Sequence, residues 1–345
     1  MTVTGVMRLD SPARCVRATA CLWLAALLAP APTAAEANSV DRPLEEVLVT
    51  GQHPGPGLWK VTRAGDPDGH VLWVLGNYSP LPKKLTWRPT EIETTLRASQ
   101  QVIAPPSISA SVGPLGGITL LPSLIGARNS PNGRRLAEIL PGDLYARWLP
   151  LKQRYLGSDG GVERWRPIFA ANALYQAALA QRGLVPYAGV WPQVEKLARK
   201  AGVPVHDPQL EIEVQKPRAA IKDFKRMPLD DVECFARTLQ RLETDMDLMR
   251  DRANAWAVGD VARLRRLAPV ERATACIGVL LESSLVQERG YGDLIDRARL
   301  AWLQAVERAH ERNVSTLAVI SIDELLEPDG HFARLREKGF VVEEP

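Results

Sequence analysis

The sequence has few of the residues from which catalytic metal sites are built. Its 345 residues include only five histidines and four cysteines. No two histidines stand three or four positions apart, as they do in helical zinc motifs. The motifs G-x-S-x-G, S-x-x-K, H-E-x-x-H and G-x-x-x-x-G-K-[ST] are also absent. We therefore predict surface or capping roles for the histidines, which are His53, His70, His206, His310 and His331.

Long apolar runs are absent except near the amino terminus. There, three arginines precede the run ACLWLAALLAPA, and small residues follow it, which is the pattern of a cleaved signal peptide. The run is shorter than the roughly 20 residues that a membrane-spanning helix needs. We predict a signal peptide at residues 1–35, with cleavage after Ala35 or Ala37. The mature protein is then expected in the periplasm or secreted, without a transmembrane segment.

The chain also lacks a strong excess of either charge. Its formal net charge is +3, and removal of residues 1–35 takes away three arginines and one aspartate, which lowers it to about +1. So small a charge gives no electrostatic reason to expect a nucleic acid partner. The partner expected instead is an envelope protein or a small ligand.

Residues 36–56 form a polar segment rich in proline and glycine that we interpret as a flexible tether. It contains the string EEVLVTGQ, which resembles the segment that opens the plug of TonB-dependent outer-membrane receptors. That resemblance implies a link to the cell envelope. An exposed strand or plain linker is the alternative interpretation.

Two cysteines, Cys234 and Cys276, remain after removal of the signal peptide. An exported protein reaches a compartment in which disulfides persist, so these two can pair. The alternative is that they are two buried thiols on helices, each behaving as a small hydrophobic side chain.

Strand and helix patterns alternate at both ends of the mature chain. Two β-rich runs, at 58–62 and 71–75, flank RAGDPDGH, whose turn residues predict a hairpin. At the other end, a strand at 315–322, a helix at 331–338 and a strand at 340–343 are predicted. Helical patterns dominate between about 130 and 312. We therefore predict one α/β domain at 57–345, with a mixed central sheet built from both ends of the chain and a large helical middle.

Two further local predictions concern the middle of the chain. Apolar residues at spacings of three and four predict one long helix from Asp230 to Trp256, whose stripe is a packing seam. The segment 113–126, GPLGGITLLPSLIG, has no clear periodicity and is predicted to be a packed loop.

Both ends of the domain resemble the TraB/GumN family. LWKV followed by LWVLGNYSPLPKKLTWRPTEIETTL is similar to the family's opening, where a strand pair leads to a G-x-x-H motif and a Trp-Pro helix start. ERNVSTLAVISIDELLEPDGHFARLREKGFVV is similar to its close, with a second G-x-x-H motif. The resemblance implies the fold shared by the TIKI proteases and the erythromycin-esterase and ChaN-like proteins.

The resemblance also implies a divalent metal, held by the two motif histidines and by an acidic residue after the first helix. In this sequence Ser79 and Asp323 stand where the histidines are expected, and the acidic position falls on Ala-Pro-Pro at 104–106. The positions of this degenerate site are Gly76, Asn77, Tyr78, Ser79 and Asp323. Serine, alanine and proline are poor replacements for metal ligands, so no metal or other cofactor is expected.

Three functions compete at this stage, one of which is a purely structural partner module with an exposed apolar patch and no lined cavity. The other two concern the degenerate site. The first is a non-catalytic binding or accessory protein of the periplasm, with a degenerate site. The second is a divergent hydrolase, a peptidase or an esterase-like enzyme, that uses Ser79, Asn77 and Asp323 in a rebuilt site. A serine nucleophile needs a base within about 2.6–3.2 Å of its proton, and Ser79 before Pro80 is also typical of a turn.

Overall fold

The computed structural model of the chain describes residues 55–112, 116–185, 190–267 and 274–345. The predicted signal peptide, nearly all of the predicted tether and His53 lie outside the described residues. The described residues all fall within one compact unit.

Ten strands are present in the described residues, six of them in one mixed sheet of order β10-β1-β2-β9-β4-β7. Two small ribbons pair β3 with β6 and β5 with β8. The strands are β1 (Leu58–Arg63), β2 (Val71–Asn77), β3 (Leu81–Pro82), β4 (Gln101–Ile103), β5 (Ile108–Ser111), β6 (Leu184–Val185), β7 (Val205–His206), β8 (Leu210–Glu213), β9 (Ser315–Ser321) and β10 (Phe340–Glu343). The predicted mixed sheet is confirmed. Its outermost strand next to β4 is β7, which comes from the middle of the chain.

Fifteen α-helices surround this sheet or pack beside it within the described residues. They are α1 (Thr90–Ala98), α2 (Gly116–Leu124), α3 (Leu136–Ile139), α4 (Gly142–Tyr155), α5 (Pro167–Gln181), α6 (Trp191–Ala201), α7 (Pro217–Arg226), α8 (Val232–Thr244), α9 (Met246–Ala257), α10 (Val261–Arg266), α11 (Thr274–Glu282), α12 (Ser284–Glu288), α13 (Leu294–Arg312), α14 (Ile322–Leu326) and α15 (His331–Glu337). Across the described ranges, none of the helices combines the length and apolar character needed to cross a membrane.

The centre of the sheet is the parallel pair β2 and β9. Their register runs from Val71 beside Ser315 to Asn77 beside Ser321. The inner residues of β9 are completely buried, because helices and neighbouring strands cover both faces, as is typical of parallel strands. The carboxyl ends of β2 and β9 therefore meet at one edge of the sheet, and their amino ends meet at the opposite edge.

Two apolar clusters form the core. One surrounds the sheet, and the other lies among the helices of the middle of the chain. In the second cluster the rings of Trp148 and Phe235 lie 5.3 Å apart, and neither is exposed. The helical middle thus has a packed interior of its own, beside the sheet.

The prediction of one helix from Asp230 to Trp256 was wrong, because two helices, α8 and α9, meet at Asp245. The Thr244 hydroxyl donates to the carbonyl of Gln240 and to the Asp245 carboxylate. Such a side-chain bond to the preceding turn competes with the regular helix. The packing seam survives the break, since Phe235, Leu239, Met249 and others on the stripe are buried.

The predicted loop at 113–126 is also corrected. Residues 116–124 form α2, although Pro122 lies inside it. Residues 113–115 lie outside the described part of the chain. Helix formation there depends on contacts with α7, which local periodicity does not reveal.

A disulfide joins Cys234 on α8 to Cys276 on α11, with the two Cα atoms 5.1 Å apart. The predicted pairing is therefore present, and the alternative of two separate thiols is not. The bond links two helices that are 42 residues apart in sequence.

Removing this disulfide is expected to destabilise the protein. For a closed loop of this length, the chain-entropy model gives a loss of about 4 kcal/mol in the free energy of unfolding. Urea denaturation of the parent and of the double variant Cys234→Ala/Cys276→Ala measures the difference. Dithiothreitol is expected to destabilise the parent and leave the double variant unchanged. Equal stability of the two proteins without reductant would contradict the prediction.

Candidate functional site

The candidate site lies at the carboxyl ends of β2 and β9. Gly76 stands beside Ile320 and Asn77 beside Ser321 in the parallel register. The chain passes from β9 directly into α14, whose first turn carries Asp323. The next strand, β4, pairs with the other side of β9 and leads into 104–106. All three positions implied by the family resemblance therefore meet at one edge of the sheet.

Gly76 has a packing role at this edge. A Cβ atom built on Gly76 would lie 2.4 Å from Cδ1 and 3.1 Å from Cβ of Ile322, so the absence of a side chain at Gly76 makes room for the side chain of Ile322 on α14. The carbonyl of Gly76 accepts a 2.7 Å hydrogen bond from the indole N–H of Trp256 on α9. The glycine therefore lets β2, α9 and α14 pack together.

Asn77 connects the sheet to another helix. Its side-chain oxygen accepts a 3.3 Å hydrogen bond from the backbone N–H of Trp191, the first residue of α6. The first N–H groups of a helix have no partner within it. Asn77 therefore caps the start of α6 from the end of β2.

Tyr78 is buried, and its hydroxyl donates a 2.9 Å hydrogen bond to the carbonyl of Met249. Burial raises the pKa of Tyr78 above its ordinary value, with the Arg252 guanidinium lowering it and the Asp323 carboxylate raising it further. The phenol therefore stays protonated and acts as a donor. Its electrostatic neighbours identify a cluster of three side chains, which we call the Tyr78–Arg252–Asp323 cluster.

The strongest interaction in this cluster is the ion pair between Arg252 and Asp323. Nη2 of Arg252 lies 2.6 Å from Oδ1 of Asp323, and the arginine side chain is only 2% exposed, against 19% for the aspartate. Nη1 of Arg252 also donates to the carbonyls of Leu264 and Leu267, at 2.9 and 2.8 Å. These charge-assisted bonds hold the guanidinium in a fixed position. The carboxylate at the second motif thus has a built-in cationic partner.

Ser79 is exposed and is joined to Pro80 by a cis peptide bond. The chain then enters the short strand β3. Ser79 thus lies in the short link between β2 and β3.

The residues at this edge do not fit the divalent metal that the family resemblance implies. Asp323 is engaged by a guanidinium, and Ser79 supplies a hydroxyl in place of an imidazole. The side chains of Ala104, Pro105 and Pro106 supply no ligand atom. A metal ion bound to Asp323 would also lie close to the positive charge of Arg252, and in a site shielded from water that repulsion is large. The residues at this edge therefore lack the set of metal ligands that the resemblance implies.

Sequence reasoning missed Arg252, although a signal was present. Met249, Arg252 and Trp256 follow each other at spacings of three and four, so Arg252 lies on the apolar face of α9. A charged residue on a buried face requires a buried partner. That partner is Asp323 on α14, 71 positions further along the chain. A local sequence pattern cannot identify a partner at this separation.

Sequence reasoning also misjudged two of the four histidines that the structure describes. His206 is exposed as expected, but His310 and His331 are only 2% and 3% exposed. His331 packs edge-on against Trp302, with the ring centroids 5.1 Å apart. His70 and His310, 240 positions apart, face each other with ring centroids 5.7 Å apart. Their meeting follows from the parallel pairing of β2 and β9, because each histidine precedes one of these strands.

Substitution of Gly76 by alanine is expected to lower the free energy of unfolding by about 1–3 kcal/mol, the usual cost of overpacking. The new methyl group would collide with Ile322, so the Ile322 side chain or α14 must shift. Gly142→Ala is the matched control, since its added Cβ meets nothing within 4 Å. Urea denaturation of the two variants measures the effect, and equal stabilities would show that the close approach is unimportant.

Comparison with known protein families gives a match over most of the chain. The family model described as the TraB/PrgY/gumN family matches residues 57–344. No curated protein and no solved structure matches the chain. The family match covers nearly all of the described domain, including both strand ends at the candidate site. The chain therefore belongs to the TraB/PrgY/gumN family.

Proposed function

We propose that the chain is an exported, non-catalytic member of the TraB/PrgY/gumN family that acts in the periplasm as a binding or accessory protein. The observation that carries this proposal is the ion pair between Arg252 and Asp323. It occupies the place where the family resemblance implies a metal, and it connects α9 to α14. The ion pair thus fixes α9 and α14 to each other at this edge of the sheet.

The energetics of the pair support a structural role. Breaking a buried ion pair by removing one partner costs about 3–5 kcal/mol, because the other charge is left without compensation. A metal that took Asp323 from Arg252 would have to offset a cost of this kind while facing the guanidinium charge. Metal binding by Asp323 and Ser79 alone would be too weak to offset this cost, because stable sites draw about three ligands from histidine, cysteine and carboxylate groups.

The disulfide supports export. Disulfides form and persist in oxidising compartments such as the bacterial periplasm, and they are rare in the cytosol. The bond between Cys234 and Cys276 is therefore consistent with the signal peptide predicted at residues 1–35.

The hydrolase alternative has less support. A general base must be able to accept the proton of the serine nucleophile. The carboxylate of Asp323 already accepts a hydrogen bond from Arg252, and the side-chain oxygen of Asn77 accepts one from Trp191. Both groups proposed to assist Ser79 thus already have a structural role, Asp323 in joining α9 to α14 and Asn77 in capping α6.

One observation favours a role in binding a protein partner. Leu121, Leu124 and Ile125 are exposed to 60%, 49% and 77%, and they lie within five residues of one another on and just after α2. Exposed apolar side chains in a group are typical of interaction surfaces. This agrees with an accessory function and requires no catalytic centre.

Metal analysis of protein purified from the periplasm without a metal-binding tag tests the proposal. The test uses the variant His70→Ala/His310→Phe, which lacks the histidine pair at the other edge of the sheet. Any metal that this variant binds is therefore not held by that pair. After incubation with Mn²⁺, Co²⁺ or Zn²⁺ and dialysis, we expect no stoichiometric metal. The proposal is contradicted if this variant retains about one equivalent of metal and loses it when Asp323→Asn is also introduced.

Hydrolysis assays with peptide and ester substrates test the alternative. The parent protein is expected to show no activity that depends on Ser79. Activity that is abolished by Ser79→Ala and retained by Ser158→Ala, a control at another exposed serine, would establish the hydrolase and overturn the non-catalytic proposal.

A further inference from the structure

A second group of polar side chains lies at the opposite edge of the sheet, where β2 and β9 begin. Asp66 lies in the turn between β1 and β2, and His70 directly precedes β2. His310 lies in the last turn of α13, just before β9. Because β2 and β9 run parallel, the residues that precede them meet at this edge. The group is therefore remote from the Tyr78–Arg252–Asp323 cluster.

The three side chains are close enough to share a ligand. One potential ligand atom from each of Asp66, His70 and His310 lies within 4.8 Å of the other two. Nδ1 of His70 is 3.2 Å from Oδ2 of Asp66. All three residues line a cavity of about 400 Å³ at the surface.

The Asp66 carboxylate is held in place by the turn. Its oxygens accept hydrogen bonds from the backbone N–H groups of Asp68 and His70, at 3.1 and 2.9 Å. Burial alone would raise the pKa of Asp66, but these bonds and the two imidazoles lower it below its ordinary value. The carboxylate therefore stays ionised, and its oxygens keep lone pairs that a cation can use.

His310 is the observation that points to a missing ligand. The residue is only 2% exposed, and its Nε2 is buried without a hydrogen-bond partner among the described residues. A buried polar atom left without a partner costs about 1–3 kcal/mol, and native proteins contain few of them. Burial also holds the pKa of His310 below its ordinary value, against the attraction of Asp66. The ring is therefore neutral at neutral pH, which is the form that binds metals.

We propose that Asp66, His70 and His310 form a binding site for a divalent transition-metal ion, with Zn²⁺ as the best match. One carboxylate oxygen and two imidazole nitrogens are a donor set that Zn²⁺ accepts, with water in a fourth position. Tetrahedral ligands at about 2.0–2.2 Å from the metal are separated by roughly 3.3–3.6 Å. Rotations that move the ligand atoms by about an ångström are enough to reach this spacing from the 4.8 Å limit.

The charges around the site are compatible with a cation. Arg63 lies beside the cavity, but its guanidinium is stacked on the ring of Phe340, 5.3 Å from the centroid. Glu311 also lines the cavity and adds a negative charge. Asp66 and Glu311 thus place two negative charges at the cavity, against one positive charge from Arg63.

A metal at this position would join the β1–β2 turn to the end of α13. Binding to the folded state alone raises the unfolding temperature. The site therefore has a structural consequence that can be measured without any activity, and it is independent of the proposed function.

Isothermal titration of the metal-free mature protein with ZnCl₂ tests the inference. We expect one site with a micromolar or lower Kd and, at hundredfold excess of Zn²⁺ over Kd, a rise of about 5 °C in the unfolding temperature. Asp66→Asn, His70→Ala and His310→Phe are each expected to weaken binding at least tenfold. His206→Ala is the matched control, because His206 is an exposed histidine outside the cluster, and it should bind like the parent.

Each outcome is decisive once circular dichroism shows that the variants are folded. His70→Ala removes a half-buried side chain and keeps the test valid if the substitution at buried His310 prevents folding. No Zn²⁺ binding by the folded parent overturns this inference and leaves the proposed function intact. Binding that survives His70→Ala and is lost in Asp323→Asn overturns both.

Discussion

The parallel pairing of β2 with β9 is the constraint on which both proposed features depend. It places residues from opposite ends of the chain in one register, with Val71 beside Ser315 and Asn77 beside Ser321. The residues immediately after the two strands lie together at one edge of the sheet, and the residues immediately before them lie together at the opposite edge. Two separate clusters of polar residues therefore arise from a single pairing.

At the carboxyl edge, the guanidinium of Arg252 supplies the positive charge that pairs with Asp323. The Arg252 side chain comes from α9, and its charge is balanced by Asp323 and by two backbone carbonyls. An arginine cannot be deprotonated in proteins and cannot exchange with solvent as a metal ion can. The ion pair is thus a lasting connection between α9 and α14. Close packing at the same strand ends is illustrated by the contact between Gly76 and Ile322.

The sequence predicts four of the six sheet strands, β1, β2, β9 and β10, because each has a short apolar or alternating run bounded by turn residues. It also predicts the disulfide, since only two cysteines lie outside the predicted signal peptide. It does not predict the break at Asp245 or the helix at 116–124, where side-chain bonds and tertiary contacts override periodicity. The partners of Arg252 and of His310 were missed for a different reason, because each lies on another element and becomes adjacent only through the fold.

A double-mutant cycle between Arg252 and Asp323 tests the central claim most directly. Urea denaturation gives the free energies of unfolding of the parent, Arg252→Met, Asp323→Asn and the double variant. If the pair is a structural joint, the two losses are not additive, and the coupling energy is about 1–3 kcal/mol. Losses that add to within about 0.5 kcal/mol would mean that the two side chains do not depend on each other, and would contradict the account.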